Sequence, residues 1–94
     1  MKPIRIVPSD RFHRQLRRLP KHIAGAVGAW VVTVQRIGIR ATRQIPGYHD
    51  EPLKGKRRGQ RSVRLNRSYR LIYEQTEDDV FTIILVLEVH NHEY

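Results

Sequence analysis

Arg61-Ser62-Val63-Arg64-Leu65-Asn66-Arg67-Ser68-Tyr69-Arg70-Leu71-Ile72-Tyr73 reads as two β-strands and the turn between them. Val63 and Leu65 alternate with Ser62 and Arg64, and Tyr69, Leu71 and Tyr73 alternate with Arg70 and Ile72, the period of strands with one buried face. For all five of these larger side chains to share that face, Leu65 must lie opposite Tyr69, which a three-residue connection (Asn66, Arg67, Ser68) supplies. The same register sets Arg64 opposite Arg70 on the other face. Like charges so placed are unfavourable unless an anion lies between them.

Downstream, Val80 to Val89 forms the third strand of a meander, reached through a turn at Asp78-Asp79. Strict alternation gives it one apolar face of Phe81, Ile83, Leu85, Leu87 and Val89, and puts Glu88 and, if the strand continues, His90 and His92 on the opposite side, that of the arginines. Upstream, Ile4, Ile6 and Val7 between Pro3 and Pro8 suit a short strand. Ser9 is an N-cap for a helix from about Asp10 to Arg18, with Phe12, Leu16 and Leu19 inward and Arg11, Arg14, Arg17 and Arg18 mostly solvated. Pro20 at N1 opens a second helix whose stripe is Ile23, Val27, Trp30, Val31, Val34 and Ile37, with Gly38 as its C-cap. Ile39 to Gly59, rich in Pro, Gly and charge, reads as a long irregular connection. The expectation is one α+β domain over residues 1–94, two N-terminal helices packed on a small antiparallel sheet in the order β-α-α-β-β-β.

Eighteen Lys and Arg against nine Asp and Glu leave a formal charge of +9, a field that draws in phosphate backbones. Eight of those cations fall between Lys54 and Arg70 with no carboxylate among them. The apolar run from Val80 to Leu87 is too short to span a bilayer and the N-terminus lacks a signal-peptide core, so no membrane partner is expected. With no cysteine, disulfides, thiolate metal sites and a cysteine nucleophile are excluded, which suits a cytoplasmic location.

Cleaving RNA through its 2′-hydroxyl needs a base, cationic donors for the charge growing on the phosphorane, and an acid for the 5′-oxygen. Arg64 and Arg70, with Lys54 behind them, are the donors, since forked guanidinium groups match phosphate oxygens. Glu51 and His49 are candidate bases, and His92 and Tyr94 can give or take a proton, with His90 as an additional candidate. Lys54, Lys56, Arg57, Arg58 and Arg61 form a grip on RNA phosphates, although a charge run is most often a solvated loop, the reading that Arg57 and Arg58 taken alone favour. His90 and His92 have no clear third ligand, so neither a metal nor another cofactor is expected. Trp30 and Tyr69 are read as core.

Glu51-Pro52-Leu53-Lys54-Gly55, Arg61 to Asn66, Tyr69-Arg70-Leu71-Ile72-Tyr73 and the His92-x-Tyr94 ending resemble the RelE/StbE family of bacterial type II toxins, over nearly the whole chain. The resemblance implies a RelE-like fold and an mRNA interferase that enters the ribosomal A site, cuts the message and is silenced by a cognate antitoxin. It implies that Arg70 and Arg64 contact the scissile phosphate, that Glu51 serves as base, and that His92 and Tyr94 complete the site. RelE-like members carry lysines at Arg64 and Ser62, and YoeB-like members have adjacent His and Tyr where Glu93 intervenes here, so base and acid stay open. The related ParE-type toxins, which share the scaffold but target gyrase and lack the catalytic set, are the alternative. A catalytically silent module binding RNA or antitoxin is a third.

Overall fold

The computed structural model describes residues 2–91. Along the chain come β1 (Ile4–Pro8), α1 (Asp10–Leu16), α2 (Lys21–Arg43), β2 (Glu51–Pro52), β3 (Gln60–Arg64), β4 (Arg70–Glu77) and β5 (Thr82–His90). The strands lie in the order β1-β5-β4-β3-β2. The expected meander is present, and the sheet gains two features. β1 runs parallel to β5, from Ile4 beside Thr82 to Pro8 beside Val86, so the sheet is mixed rather than wholly antiparallel. The two-residue β2 adds an antiparallel edge, Glu51 opposite Ser62.

The first hairpin has the register that its apolar residues require: Val63 opposes Leu71, Arg64 opposes Arg70, and the Leu65 N–H donates to the Tyr69 carbonyl at 3.0 Å. Asn66 closes the turn, its Oδ1 accepting from the Ser68 and Tyr69 N–H groups at 2.9 and 2.8 Å. An asparagine side chain here stands in for a backbone acceptor and fixes the loop length.

β5 departs from strict alternation. Ile72 lies opposite Glu88 but Tyr73 opposite Val86, so Leu87 is the extra residue of a β-bulge, which reverses the parity of everything before it. Ile84 and Val86 therefore face the core, with Val89 beyond the bulge, while Ile83 and Leu85 turn away. The expected single face of Phe81, Ile83, Leu85, Leu87 and Val89 is corrected accordingly. Alternation carried no information because the strand is apolar on both sides. α1 answers the bulge: Ser9 Oγ donates to the Leu87 carbonyl at 2.6 Å and Gln15 Oε1 accepts from the Val89 N–H at 2.7 Å. Ser9 also caps α1, accepting from the Phe12 N–H at 3.0 Å. The helix is thus fastened to the strand segment that carries Glu88 and His90.

α2 starts at Lys21 with Pro20 as its N-cap, one residue outside the expected N1 position. Its buried stripe is Ile23, Val27, Trp30 and Val34, and Ile37 is exposed. Gly38 breaks the helix as expected, with φ 87° and ψ 164°, a conformation that glycine adopts without steric cost. Beyond Gly38 the chain resumes helical winding to Arg43 rather than running on irregularly. Thr42 Oγ1 donates to the Gly38 carbonyl at 2.7 Å, and Ile39 and Thr42 turn inward. By length and composition alone α2 could cross a bilayer, but its apolar stripe is packed on the sheet. The core is built from that stripe, Phe12, and Val63, Leu71, Tyr73, Ile84, Val86 and Val89.

Candidate functional site

The face of the sheet away from this core carries a lateral row. Arg64 lies opposite Arg70 across β3 and β4, and Arg70 opposite His90 across β4 and β5. Directly opposed residues point to the same side, and two strand spacings of about 4.8 Å bring the three within roughly 10 Å. All three are partly buried. Arg70 Nη1 is fully buried and has no hydrogen-bond partner among the described residues. A buried donor left without an acceptor costs about 1–3 kcal/mol, and an anion between the two arginines satisfies both this donor and their mutual repulsion.

The next row holds Glu88. His90 Nε2 meets its Oε1 at 2.7 Å, Arg57 Nη2 meets its Oε2 at 2.8 Å, and Arg11 Nη1 approaches the same oxygen at 3.6 Å. Burial alone pushes this carboxyl up; the hydrogen bond and charge of Arg57, reinforced by His90, outweigh it and hold Glu88 below its ordinary 4.5. The carboxylate does two things. It sets the orientation of the imidazole beside Arg70, and through Arg57 it ties the 3-10 turn Gly55–Arg57 onto this face, leaving Lys54, Lys56 and Arg58 exposed.

Glu51, exposed on β2 opposite Ser62, shares this face and flanks the arginines from the side away from His90. His49 is exposed, with left-handed backbone (φ 42°) after the turn Pro46–Tyr48. His92 and Tyr94 lie outside the described residues. Among the described residues no three His, Asp or Glu side chains converge on a common point.

Arg61, expected in the phosphate grip, is on the other face. Its Nε donates to Asp50 Oδ1 at 2.6 Å, Tyr73 OH donates to Asp50 Oδ2 at 2.6 Å, and Arg43 Nε donates to Tyr73 OH at 3.0 Å. The Asp50 side chain is 1% exposed. Burial lowers the affinity of Arg61 for its proton, and the bond and charge of Asp50 more than restore it. Trp30 is fully buried and packs its ring against Tyr73 at 5.3 Å. Sequence parity already paired Arg61 with Val63, which was the available signal; Glu88, a lone carboxylate in an apolar run, was the signal for the residue that organises the far face.

The fold has counterparts among known proteins. The sequence profile of the ParE toxin of the type II toxin-antitoxin system parDE matches residues 6–93. None of the curated protein sequences matches. Among solved structures, the YoeB/ParE toxin from Agrobacterium tumefaciens superposes with TM-score 0.69 at 17% identity, covering 95% of this chain and 99% of that one. The YoeB–YefM complex from Staphylococcus aureus gives 0.69 at 22%, covering 96% and 98%. The RelBE2 toxin-antitoxin complex from Mycobacterium tuberculosis gives 0.64 at 25%, covering 97% and 98%.

Proposed function

Because the chain belongs to the ParE toxin family of type II toxin-antitoxin systems, in the RelE/ParE superfamily, we propose that it is a toxin that cleaves messenger RNA in the ribosomal A site. It acts in the cytoplasm and is silenced by a cognate antitoxin. The observation that carries this reading is the row Arg64, Arg70 and His90, with a buried guanidinium nitrogen lacking an acceptor among the described residues.

In this reading the two arginines take the non-bridging oxygens of one phosphate and stabilise the charge that grows there. In-line displacement needs a base and an acid on opposite sides of phosphorus, and Glu51 on β2 and His90 on β5 flank the arginine pair from opposite sides. Glu51 takes the 2′-hydroxyl proton, the 2′-oxygen bonds to phosphorus, and the bond to the 5′-oxygen breaks as that oxygen receives a proton. His90, held by Glu88, is the described donor, and His92 and Tyr94 continue the same chain segment as further donors. The products are a 2′,3′-cyclic phosphate and a free 5′-hydroxyl.

The test is incubation of the purified protein with ribosomes programmed with a message. Codon-phased cuts bearing cyclic phosphate ends are expected. The matched profile is that of ParE, which favours a second reading, a gyrase poison without nuclease activity; trapped gyrase–DNA breaks with intact message select it.

A further inference from the structure

α1 carries an arginine face that the proposed chemistry does not use. Arg11, Arg14 and Arg18 recur at intervals of three and four, which puts them on one side of a helix. The Arg18 N–H donates to the Gln15 carbonyl at 3.0 Å, so helical winding continues past Leu16. With Gln15 they line one shallow cleft of about 250 Å³, and among the described residues no carboxylate lines it. Arg14 and Arg18 are exposed, and the face runs for about 10 Å at 1.5 Å per residue.

Its position relative to the site is fixed. Ser9 and Gln15 fasten α1 to Leu87 and Val89 on either side of Glu88, and Arg11 reaches Glu88 itself. Glu88 is therefore where the helix face, the Arg57 turn and His90 meet. Among the described residues the cleft contains cations and an amide but no apolar or aromatic anchor, whereas protein interfaces are built around such anchors. A phosphate backbone fits this lining better than an acidic protein does.

We propose that the Arg11–Arg14–Arg18 face of α1 is a second phosphate-binding track, holding nucleotides of the RNA strand beyond the one clamped by Arg64 and Arg70. It rests on the reading that the substrate is RNA. The probe is a fluorescent 2′-O-methyl RNA oligonucleotide, which cannot be cut by 2′-hydroxyl attack, titrated by anisotropy over a range of salt. Each lost contact to a single strand lowers the slope of log K against log salt by about 0.7. Arg14→Gln/Arg18→Gln is thus expected to flatten the slope by about 1.4, while Arg36→Gln/Arg40→Gln, an equal charge loss at exposed positions on α2, leaves it near the wild-type value. An unchanged slope in the α1 variant, or equal flattening in both, overturns the proposal. So does loss of binding to an oligoglutamate peptide without loss of RNA binding, which would give the face to an acidic protein. Because the probe is never cleaved, absence of nuclease activity on natural message leaves this measurement readable.

Discussion

Arg61 and Arg64 stand three residues apart on β3, and the sheet sends them to opposite faces with opposite outcomes. Arg61 meets a buried aspartate at 2.6 Å, and that aspartate is also bound by Tyr73, itself bound by Arg43. Arg64 meets Arg70, whose Nη1 is buried without an acceptor among the described residues. On the helix side, Arg61 and Arg43 each have an acceptor within the protein. On the far side the protein supplies a second cation instead, an arrangement that folding alone does not reward. The contrast separates an arginine paired within the protein from one set beside another cation, within a single strand.

If that separation is right, the two faces respond to mutation in opposite ways. Arg70→Ala is expected to lower single-turnover cleavage on saturating ribosomes by roughly 10²- to 10³-fold, the range for losing one donor to a developing oxyanion. Its melting temperature should stay level or rise, because an unpaired buried donor and a like-charge contact both disappear. Full activity would remove Arg70 from the site, and a large drop in melting temperature would make it a structural residue like Arg61. Asp50→Ala tests the other face. Removing one partner of a buried ion pair costs about 3 kcal/mol or more, equivalent to at least about 10 °C in melting temperature for a domain of this size. A melting curve within a few degrees of wild type would show that the network around Arg61 is incidental.

The two faces were also unequally legible. The hairpin could be read because Val63, Leu65, Tyr69, Leu71 and Tyr73 admit one register, and that register puts Arg64 beside Arg70 on the strength of the apolar pattern alone. β5 could not be read the same way. Its residues are apolar on both faces, and the bulge at Leu87 depends on Ser9 and Gln15, which reach it from more than seventy positions away in sequence. Asp50 was hidden for the same reason: it lies in a Pro- and Gly-rich connection whose only local message is irregularity, and its partners are on β3 and β4. Alternation sets Glu88 on the arginine side, and His90 only if the strand runs past Val89, but the carboxylate's hold on Arg57 and Arg11 comes from a loop and a helix remote in sequence. Local alternation shows which residues share a face; it does not show which distant side chains will neutralise them.

Tyr73→Phe probes the helix-side network from within. It deletes one hydroxyl that donates to Asp50 and accepts from Arg43, while Arg61 still holds the aspartate, so a smaller cost of about 1–2 kcal/mol is expected. Burial pushes this hydroxyl well above its ordinary 10.0, with the Arg43 bond pulling it back and Asp50 reinforcing the rise. Above pH 10 the unfolded chain releases a proton that the folded one keeps, so stability falls as pH rises. The gap between wild type and Tyr73→Phe in denaturant titrations should therefore narrow above that pH. A constant gap would mean that the hydroxyl ionises freely in the folded protein.

Glu88→Gln asks to which of the two faces' logics the far-face carboxylate belongs. Its folded value lies below the 4.5 of the ordinary group, so the stability it adds is present above pH 4.5 and is lost as pH falls through the folded value. Arg11 is largely exposed and Arg57 partly so, and ion pairs in contact with solvent contribute about 1 kcal/mol or less. The expected result is a small deficit at neutral pH that disappears in acid, measured by chemical denaturation across pH, and a larger loss of cleavage as His90 and the Arg57 turn lose their common anchor. A deficit as large as that of Asp50→Ala, with cleavage retained, would make Glu88 a second Asp50 and erase the functional distinction between the faces. A small deficit accompanied by lost cleavage would instead place Glu88 with Arg64 and Arg70, as the residue that holds the far face in working order.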